Sequence, residues 1–305
     1  MAAEGCGRTE TAGSSAASSR SPAERPAARP TGRLAQNTGK RNTGNPSGGP
    51  GRAIAHARHD VSRKEAAERD LDAAVGPTAS ADGGHVSVAV DDLTTGVQAS
   101  YGGRREYVTA SIVKADILAT LLYLGQRRGD TTLNADDREQ AATMMEDSDN
   151  DAASDLWWQA GSAAGVDAAN KAFGLRETRG GSGQYWGLTT TTTDDQLRLL
   201  RELLTTRSVL SASARDYARG LMSSVEPGQR WGVPAAADAG TGVAVKNGWL
   251  PDPSLWVINS IGEITHDGHR MLIAVLSDDN ESEDGGISVV QRVAGEAADA
   301  VTGDT

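Results

Sequence analysis

The chain has 305 residues, of which 38% are apolar and 23% are charged, and its formal net charge is −11 at pH 7. We expect one folded domain with a tail, and the acidic balance without a basic stripe excludes the charge pattern of a nucleic-acid-binding protein. Cys6 is the single cysteine, which excludes an internal disulfide, a cysteine zinc cluster and an iron–sulfur site. No run of apolar residues is long enough to span a membrane.

The first part of the chain has the composition of a disordered segment. Residues 1–62 are rich in Gly, Ser, Pro, Thr, Ala and Arg, with almost no large apolar side chains to offset the entropy of ordering. We therefore predict a disordered tail over 1–62 and a domain over 63–305. The first thirty residues lack the apolar block of a signal peptide. Cys6 is either a lipid-attachment cysteine whose leader is missing or, as we favour, a tail residue without function.

Strands and one apolar helix are predicted at the start of the domain. A short helix over 63–74 precedes a hairpin in which 85–90 and 97–101 pair around a Thr-Thr-Gly turn. The segment 111–128 is apolar on nearly every side and is followed by Gly129, a residue typical of helix ends. We therefore predict a helix buried in the middle of the protein.

The middle of the chain is predicted to be helical, and strands return after it. Thr193 with Gln196 has the pattern of a capping box, and Ser211 has the pattern of an N-cap. Asp267-Gly268 predicts a hairpin turn between the last two strands. The predicted helices cover 135–147, 152–159, 166–173, 194–205, 211–222 and 286–301, and the predicted strands cover 243–248, 255–264 and 270–276.

Strands at both ends with helices between them predict the α+β class. The expected architecture is an antiparallel sheet built from both termini and flanked by helices, with an inserted all-helical subdomain. No internal repeat is visible in the sequence.

Ser111 and Lys114 open the predicted buried helix in the order Ser-Ile-Val-Lys. Residues three apart share a helix face, and the first turn offers free backbone N–H groups. A poorly solvated lysine loses its proton readily and can then accept the proton of the serine hydroxyl, which predicts an activated nucleophile. The alternative is a helix cap followed by a solvent-facing lysine. Since the chain has only five lysines, one on an apolar helix needs a reason.

A second motif, Ser148-Asp149-Asn150, lies between two predicted helices. The serine there can pass a proton to a leaving nitrogen, and the asparagine amide can bind a substrate carbonyl or hold a lysine in place. The alternative is a helix cap, because all three residue types are preferred at that position.

A third motif, Lys246-Asn247-Gly248-Trp249, continues a predicted strand. Its lysine can supply positive charge for an anionic substrate, and its glycine can let a substrate backbone approach the strand edge. Alone it is a strand end with a solvated lysine. The interpretation as a catalytic site depends on the order of the three motifs, S-x-x-K, S-D-N and K-x-G, each in a suitable helix, loop or strand.

This ordered set resembles the penicillin-recognising serine enzymes, and class A β-lactamases most closely, over roughly residues 80–303. The resemblance implies that Ser111 is acylated, with the N–H groups of Ser111 and Trp249 as the oxyanion hole. It implies that Lys114 is the base partner, Ser148 the proton shuttle and Lys246 the group that orients a substrate carboxylate. The implied catalytic residues are Ser111, Lys114, Ser148 and Lys246, and the implied substrate-binding residues are Asn150, Asn247, Gly248 and Trp249.

The resemblance also carries expectations about partners. It implies no cofactor and no metal, a small-molecule or peptidoglycan-like acyl substrate, a monomer, and an extracytoplasmic location.

Three departures separate this chain from class A β-lactamases. Those enzymes carry an E-x-x-L-N segment whose glutamate drives water onto the acyl-enzyme, whereas 180–188 contains no acid and Glu177 is the nearest carboxylate. The stretch between Lys114 and Ser148 is shorter than in those enzymes. Asn247 replaces the usual threonine or serine, which removes a hydroxyl that contacts the substrate carboxylate.

Other candidate sites are weaker. His56 and His59 lie in the predicted tail and His266 and His269 flank a turn, so a metal site is not favoured, and no histidine has the order of a Ser-His-Asp triad. The tryptophans are predicted to be core residues, except two that fall beside the inferred cleft. The core group is Trp157, Trp158, Trp231 and Trp256, and the two exceptions are Trp186 and Trp249.

Two functions therefore stay open. The preferred one is a serine hydrolase that opens a lactam, amide or ester through an acyl-Ser111 intermediate. The other is a sensor or binding module that is acylated or occupied without turnover, which the missing acid in 180–188 motivates.

Overall fold

The structure, a computed structural model, describes residues 50–81, 83–252 and 255–303, and for 50–62 and 252 it describes the backbone alone. Among the described residues, no helix combines the length and the apolar character needed to cross a membrane. The helices are α1 (Pro50–Ala81), α2 (Val113–Arg128), α3 (Ala135–Glu146), α4 (Asn150–Gln159), α5 (Ser162–Phe173), α6 (Thr193–Leu204), α7 (Ala212–Ser223) and α8 (Glu283–Thr302). The strands are β1 (His85–Asp92), β2 (Gln98–Tyr101), β3 (Tyr107–Val108), β4 (Thr190–Thr191), β5 (Ala244–Asp252), β6 (Leu255–His266) and β7 (His269–Asn280).

Five of the strands form one antiparallel sheet in the order β2-β1-β7-β6-β5. One row of the sheet shows the register. Ala274 of β7 lies between Ala89 of β1 and Ile261 of β6. Ile261 in turn pairs with Lys246 of β5. Strands from the two ends of the domain therefore lie side by side. The predicted α+β architecture, with a sheet from both termini and helices inserted between them, is confirmed.

The sheet is covered on both faces because alternate residues of each strand point to opposite sides. On β7, Leu272 and Ala274 belong to the core that contains α2 and the other inserted helices. Ile273 and Val275 belong to a second core with α1 and α8. The result is a three-layer protein in which the sheet separates two apolar cores.

Helix α2 is the buried helix predicted from the sequence. A short 3-10 helix (Ala110–Ile112) precedes it, and Gly129 ends it with the left-handed φ of 91° that favours glycine. Lys114 and Asp116 are among its buried residues, although charged side chains are rarely buried without partners.

Helix α1 is longer than the helix predicted over 63–74. It begins at Pro50 and continues to Ala81, and Leu71 and Val75 are fully buried in the second core. This packing keeps the chain helical beyond residue 74, although Pro77 lies inside the helix and proline usually interrupts one. The disordered tail predicted over 1–62 stays a prediction for residues 1–49, which lie outside the described residues together with Cys6, whereas the backbone over 50–62 is helical.

The capping box predicted for Thr193 and Gln196 is wrong by one residue. Thr192 is the N-cap of α6, and its hydroxyl accepts from the N–H of Asp195 at 3.3 Å. Gln196 donates instead to the hydroxyl of Thr191 at 2.9 Å. Consecutive threonines carry the same local signal, and the pairing of β4 with β3 decides where the strand ends and the helix begins.

Asp195 anchors the segment that leads towards residues 180–188. Its fully buried carboxylate accepts from the backbone N–H groups of Arg176, Glu177 and Thr178 at 2.7 to 3.0 Å. It also accepts from the Thr178 hydroxyl at 2.9 Å and pairs with the guanidinium of Arg198 at 2.5 Å. One side chain thus satisfies several buried donors.

We expect Asp195→Ala to lower the free energy of unfolding by about 3–5 kcal/mol, because it leaves these buried donors without an acceptor. Urea denaturation measures this change. Asp194→Ala is the matched control, since Asp194 lies in the same helical turn and its loss removes only a helix-dipole contribution of about 0.3–1 kcal/mol. Equal losses in the two variants would contradict the anchoring role.

Candidate active site

Side chains from the 3-10 helix before α2, from α2 itself, from the junction of the α3–α4 loop with α4, and from β5 converge on one cluster. The Nζ of Lys114 lies 3.0 Å from the Oγ of Ser111, 3.1 Å from the Oγ of Ser148 and 2.8 Å from the Oδ1 of Asn150. The Nζ of Lys246 lies 3.0 Å from the same Ser148 Oγ. Five of the predicted site residues are therefore neighbours in space, although they are up to 135 positions apart in sequence.

Lys114 is fully buried and has more acceptors than an ammonium group has protons. Besides the three oxygens above, its Nζ lies 2.6 Å from the carbonyl oxygen of Ser148. Burial lowers the pKa of Lys114 to about 8, although the nearby carboxylate of Asp149 acts in the opposite direction. The amine can therefore lose its proton near neutral pH and accept the proton of the Ser111 hydroxyl.

Lys246 is the second buried amine of the cluster. Its Nζ donates to the Ser148 hydroxyl and, at 3.1 Å, to the carbonyl oxygen of Asn247. Burial, and then the charge of Lys114, lower the pKa of Lys246 to about 7. Because both amines contact one hydroxyl, their protons leave in two steps that belong to the pair.

In the Ser-Asp-Asn motif, the first and third residues contact Lys114 and the middle residue caps α4. Asp149 is the N-cap of α4, and its carboxylate accepts from the N–H of Ala152 at 2.8 Å. Ser148 has a left-handed backbone with φ of 57°, and both it and Asn150 reach Lys114. The helix-cap alternative is therefore correct for the middle residue of the motif alone.

Gly248 allows β5 to pack directly on the turn that carries Ser111. A Cβ at this position would lie 2.6 Å from the backbone nitrogen of Ser111 and 2.8 Å from the carbonyl oxygen of Thr109. Asn259, which pairs with Gly248, donates from Nδ2 to the carbonyl oxygens of Val108 and Thr109. The glycine is thus required by the protein's own packing, a reason that the sequence did not reveal.

The backbone N–H of Trp249 faces away from the sheet. Among the described strands β5 lies at the edge and pairs with β6 alone, and Pro251 lies within the paired region although it has no N–H to donate. Proline is tolerated in an edge strand where its nitrogen faces outward. The N–H two residues earlier faces the same way, towards the free edge of β5.

Asn247 uses its amide for the main chain. Its Nδ2 donates to the carbonyl oxygens of Gln229 and Trp231 at 2.8 and 2.9 Å, and the side chain is fully buried. Its Oδ1 has no partner among the described residues. The substrate contact implied for Asn247 stays a prediction, while the observed contacts hold the segment 229–231 against the strand.

Trp186 covers Lys114 from the segment 180–188. The Lys114 Nζ lies 4.9 Å from the centre of the indole ring, and the indole Nε1 donates to the hydroxyl of Ser154 at 3.1 Å. Glu177, in contrast, accepts from the Thr192 hydroxyl at 3.3 Å and has no contact with the cluster among the described residues. The sequence placed Trp186 beside the cleft but did not reveal its contact with the amine.

The histidines predicted to flank a turn do not share a site. His266 contacts the carbonyl oxygen of Ala236 at 2.7 Å and the carboxylate of Asp299 at 2.9 Å, whereas His269 contacts Asp92 at 2.9 Å. The side chains of His56 and His59 lie outside the described residues.

Comparison with known proteins gives one family and one fold. The profile of the "Beta-lactamase enzyme family" matches residues 66–301. The chain is also 33% identical over 178 residues to "Putative lipoprotein LppW" of Mycobacterium tuberculosis and of Mycobacterium bovis. That match spans 56% of this chain and 56% of the relative, so the chain spans only about half the length of these relatives.

Solved structures share the architecture at low sequence identity. A class A beta-lactamase from Bacteroides cellulosilyticus superposes with a TM-score of 0.67 and 14% identity, covering 78% of this chain and 99% of that one. TLA-1 extended-spectrum beta-lactamase gives 0.67 and 18%, covering 76% and 98%. A mutant of PBP-A, in an acyl-enzyme complex with penicillin G, gives 0.65 and 19%, covering 77% and 97%.

These structural likenesses establish the fold, and the profile covers most of the described domain. The chain belongs to the beta-lactamase enzyme family.

Proposed function

We propose that the protein is a serine hydrolase that opens a lactam, amide or ester bond through an acyl intermediate on Ser111. The observation that carries this proposal is the contact of 3.0 Å between the Lys114 Nζ and the Ser111 Oγ inside a buried polar cluster. Proton transfer needs a contact of about 2.6–3.2 Å, and the amine pKa of about 8 lets it act as a base near neutral pH.

In the proposed reaction, neutral Lys114 accepts the proton of the Ser111 hydroxyl while the Oγ attacks the substrate carbonyl carbon. The negative charge that develops on the carbonyl oxygen is met by the backbone N–H groups of Ser111 and Trp249. The proton then passes from Lys114 through the Ser148 hydroxyl to the leaving nitrogen or oxygen. Lys246, when charged, attracts an anionic group of the substrate.

Trp186 supports a second candidate function, a sensor that is acylated and does not turn over. The indole lies over Lys114, and the segment 180–188 that carries it contains no acid. Hydrolysis of an acyl-serine needs a base that activates water, and the described residues offer no carboxylate in contact with Ser111 or Lys114. A long-lived acyl-enzyme is therefore the form of this function that the site favours.

We expect incubation with a fluorescent penicillin to add one ligand mass to the chain, with the label on Ser111. Intact-protein and peptide mass spectrometry measure this, and Ser111→Ala should remain unlabelled. Ser288→Ala is the matched control, since Ser288 is exposed on α8 and should label like the wild type. Labelling of Ser111→Ala at the wild-type rate would contradict the proposal.

A chromogenic cephalosporin separates the two candidate functions. Release of many chromophores per chain indicates a hydrolase, whereas a single burst with persistent label indicates the sensor. Turnover by Ser111→Ala equal to that of the wild type would exclude both.

We expect the rate of acylation to rise from about pH 6 to pH 8 and to fall at higher pH. The rise follows loss of the first proton from the Lys114–Lys246 pair, which creates a base, and the fall follows loss of the remaining charge that attracts the substrate. In Lys246→Arg the alkaline fall should disappear, because arginine keeps its charge. A rate that stays constant across this range would show that neither amine takes part.

We expect Gly248→Ala to reduce the acylation rate by about 100-fold, because its Cβ would push β5 away from the Ser111 turn and misplace the nucleophile. The labelling rate measures this. In the control Gly242→Ala the new Cβ meets nothing within 4 Å, so the rate should be unchanged. Equal rates for both variants and the wild type would show that the close approach is not needed.

A further inference from the structure

A cavity away from the cluster around Ser111 has a volume of about 560 Å³. It lies between the β1–β2 hairpin, the C-terminal end of α6, α7 and the start of β7. None of the site residues described above lines it. Five of its lining residues are arginines, and we call it the arginine cavity: Arg201, Arg207, Arg215, Arg219 and Arg270.

The arginine cavity concentrates positive charge in an acidic protein. Only two carboxylates, Asp91 and Asp216, line it beside the five guanidinium groups, whereas the whole chain has a net charge of −11. A cluster of like charges is unfavourable unless anions lie close to it. Some of these anions come from the protein itself.

Two protein carboxylates pair with three of the five arginines. Asp91 accepts from the Nε of Arg201 at 2.6 Å. Glu263, next to the cavity, pairs with Arg219 at 2.5 Å and with Arg270 at 2.6 Å. These two arginines also donate to the carbonyl oxygen of Leu204 at the end of α6, so they have a structural role.

Within the described chain, the other donors of the arginine cavity are not paired with protein carboxylates. Arg207 and Arg215 form no ion pair within 4.0 Å among the described residues, although Arg215 donates to the carbonyl oxygen of Leu210. The Nη2 of Arg201 is buried and has no hydrogen-bond partner within the described part of the chain. A buried guanidinium N–H without an acceptor is costly, which points to an anion from outside the protein.

We propose that the arginine cavity binds a small multivalent anion through carboxylate or phosphate groups. Guanidinium groups bind both by paired, charge-assisted hydrogen bonds, and the volume falls within the range of about 300–1,000 Å³ that small-molecule sites occupy. Arg207 and Arg215 supply the uncompensated charge, and Arg201 supplies the free donor. Leu93 and Leu204 also line the cavity and would contact the apolar part of the ligand.

Calorimetric titration of the full chain with pyrophosphate and, separately, with citrate tests this proposal. We expect saturable binding of at least one probe, with a dissociation constant raised about tenfold or more in Arg207→Gln, since one charged hydrogen-bonding partner is lost. Arg207 is exposed and has no ion pair, so the variant should keep the wild-type melting temperature without probe. Arg104→Gln is the matched control, because it removes the same charge from an exposed position outside the cavity.

The outcomes distinguish a site from general charge screening. Binding of citrate alone identifies a polycarboxylate site, binding of pyrophosphate alone identifies a phosphate site, and either result is expected to be retained in Ser111→Ala. Equal affinity in the wild type, Arg207→Gln and Arg207→Glu would overturn the proposal. So would a heat that sodium chloride of equal ionic strength reproduces.

Discussion

The candidate active site depends on the burial of two amines around a single hydroxyl. Lys114 and Lys246 approach the Ser148 oxygen to 3.1 and 3.0 Å, and neither is exposed to water. Two ammonium groups this close repel each other in a medium that solvates charge poorly, so the pair favours the loss of one proton. Loss of one proton would leave a neutral amine beside an ammonium group, an arrangement that an isolated lysine at the surface does not provide.

The fold excludes water from these amines because they lie on a buried helix and a strand of the sheet rather than on an exposed loop. Lys114 belongs to a helix that is buried on nearly all sides. Lys246 belongs to β5, and Gly248 of the same strand allows β5 to pack against the turn that carries Ser111. The side chain of Asn259 links the sheet to the turn that carries Ser111, because it donates to the backbone carbonyl oxygens of Val108 and Thr109. Any side chain at Gly248 would therefore disturb the geometry and the exclusion of water together.

Local patterns in the sequence predict the elements and the candidate residues, but not the contacts that orient them. The buried helix and the hairpin that pairs Val90 with Ala99 follow from patterns within a few residues, and both are confirmed. The N-cap of α6 is Thr192 rather than the predicted Thr193, because the pairing of β4 with β3 decides which of the consecutive threonines ends the strand. The contact of Gly248 with Ser111 joins segments 137 positions apart, and no local pattern records such a distance.

Trp186 brings two opposing effects to the same amine. An indole face 4.9 Å from the Lys114 Nζ stabilises the ammonium form, whereas burial under that ring removes the water that would stabilise it further. The lowered pKa shows that burial outweighs other effects in the resting protein. Under the proposed function, the same ring would also lie close to an ester formed on Ser111, because the Ser111 Oγ is 3.0 Å from the amine that the ring covers. If Ser111 is acylated as proposed, activation of the nucleophile and persistence of its product would have this common physical origin.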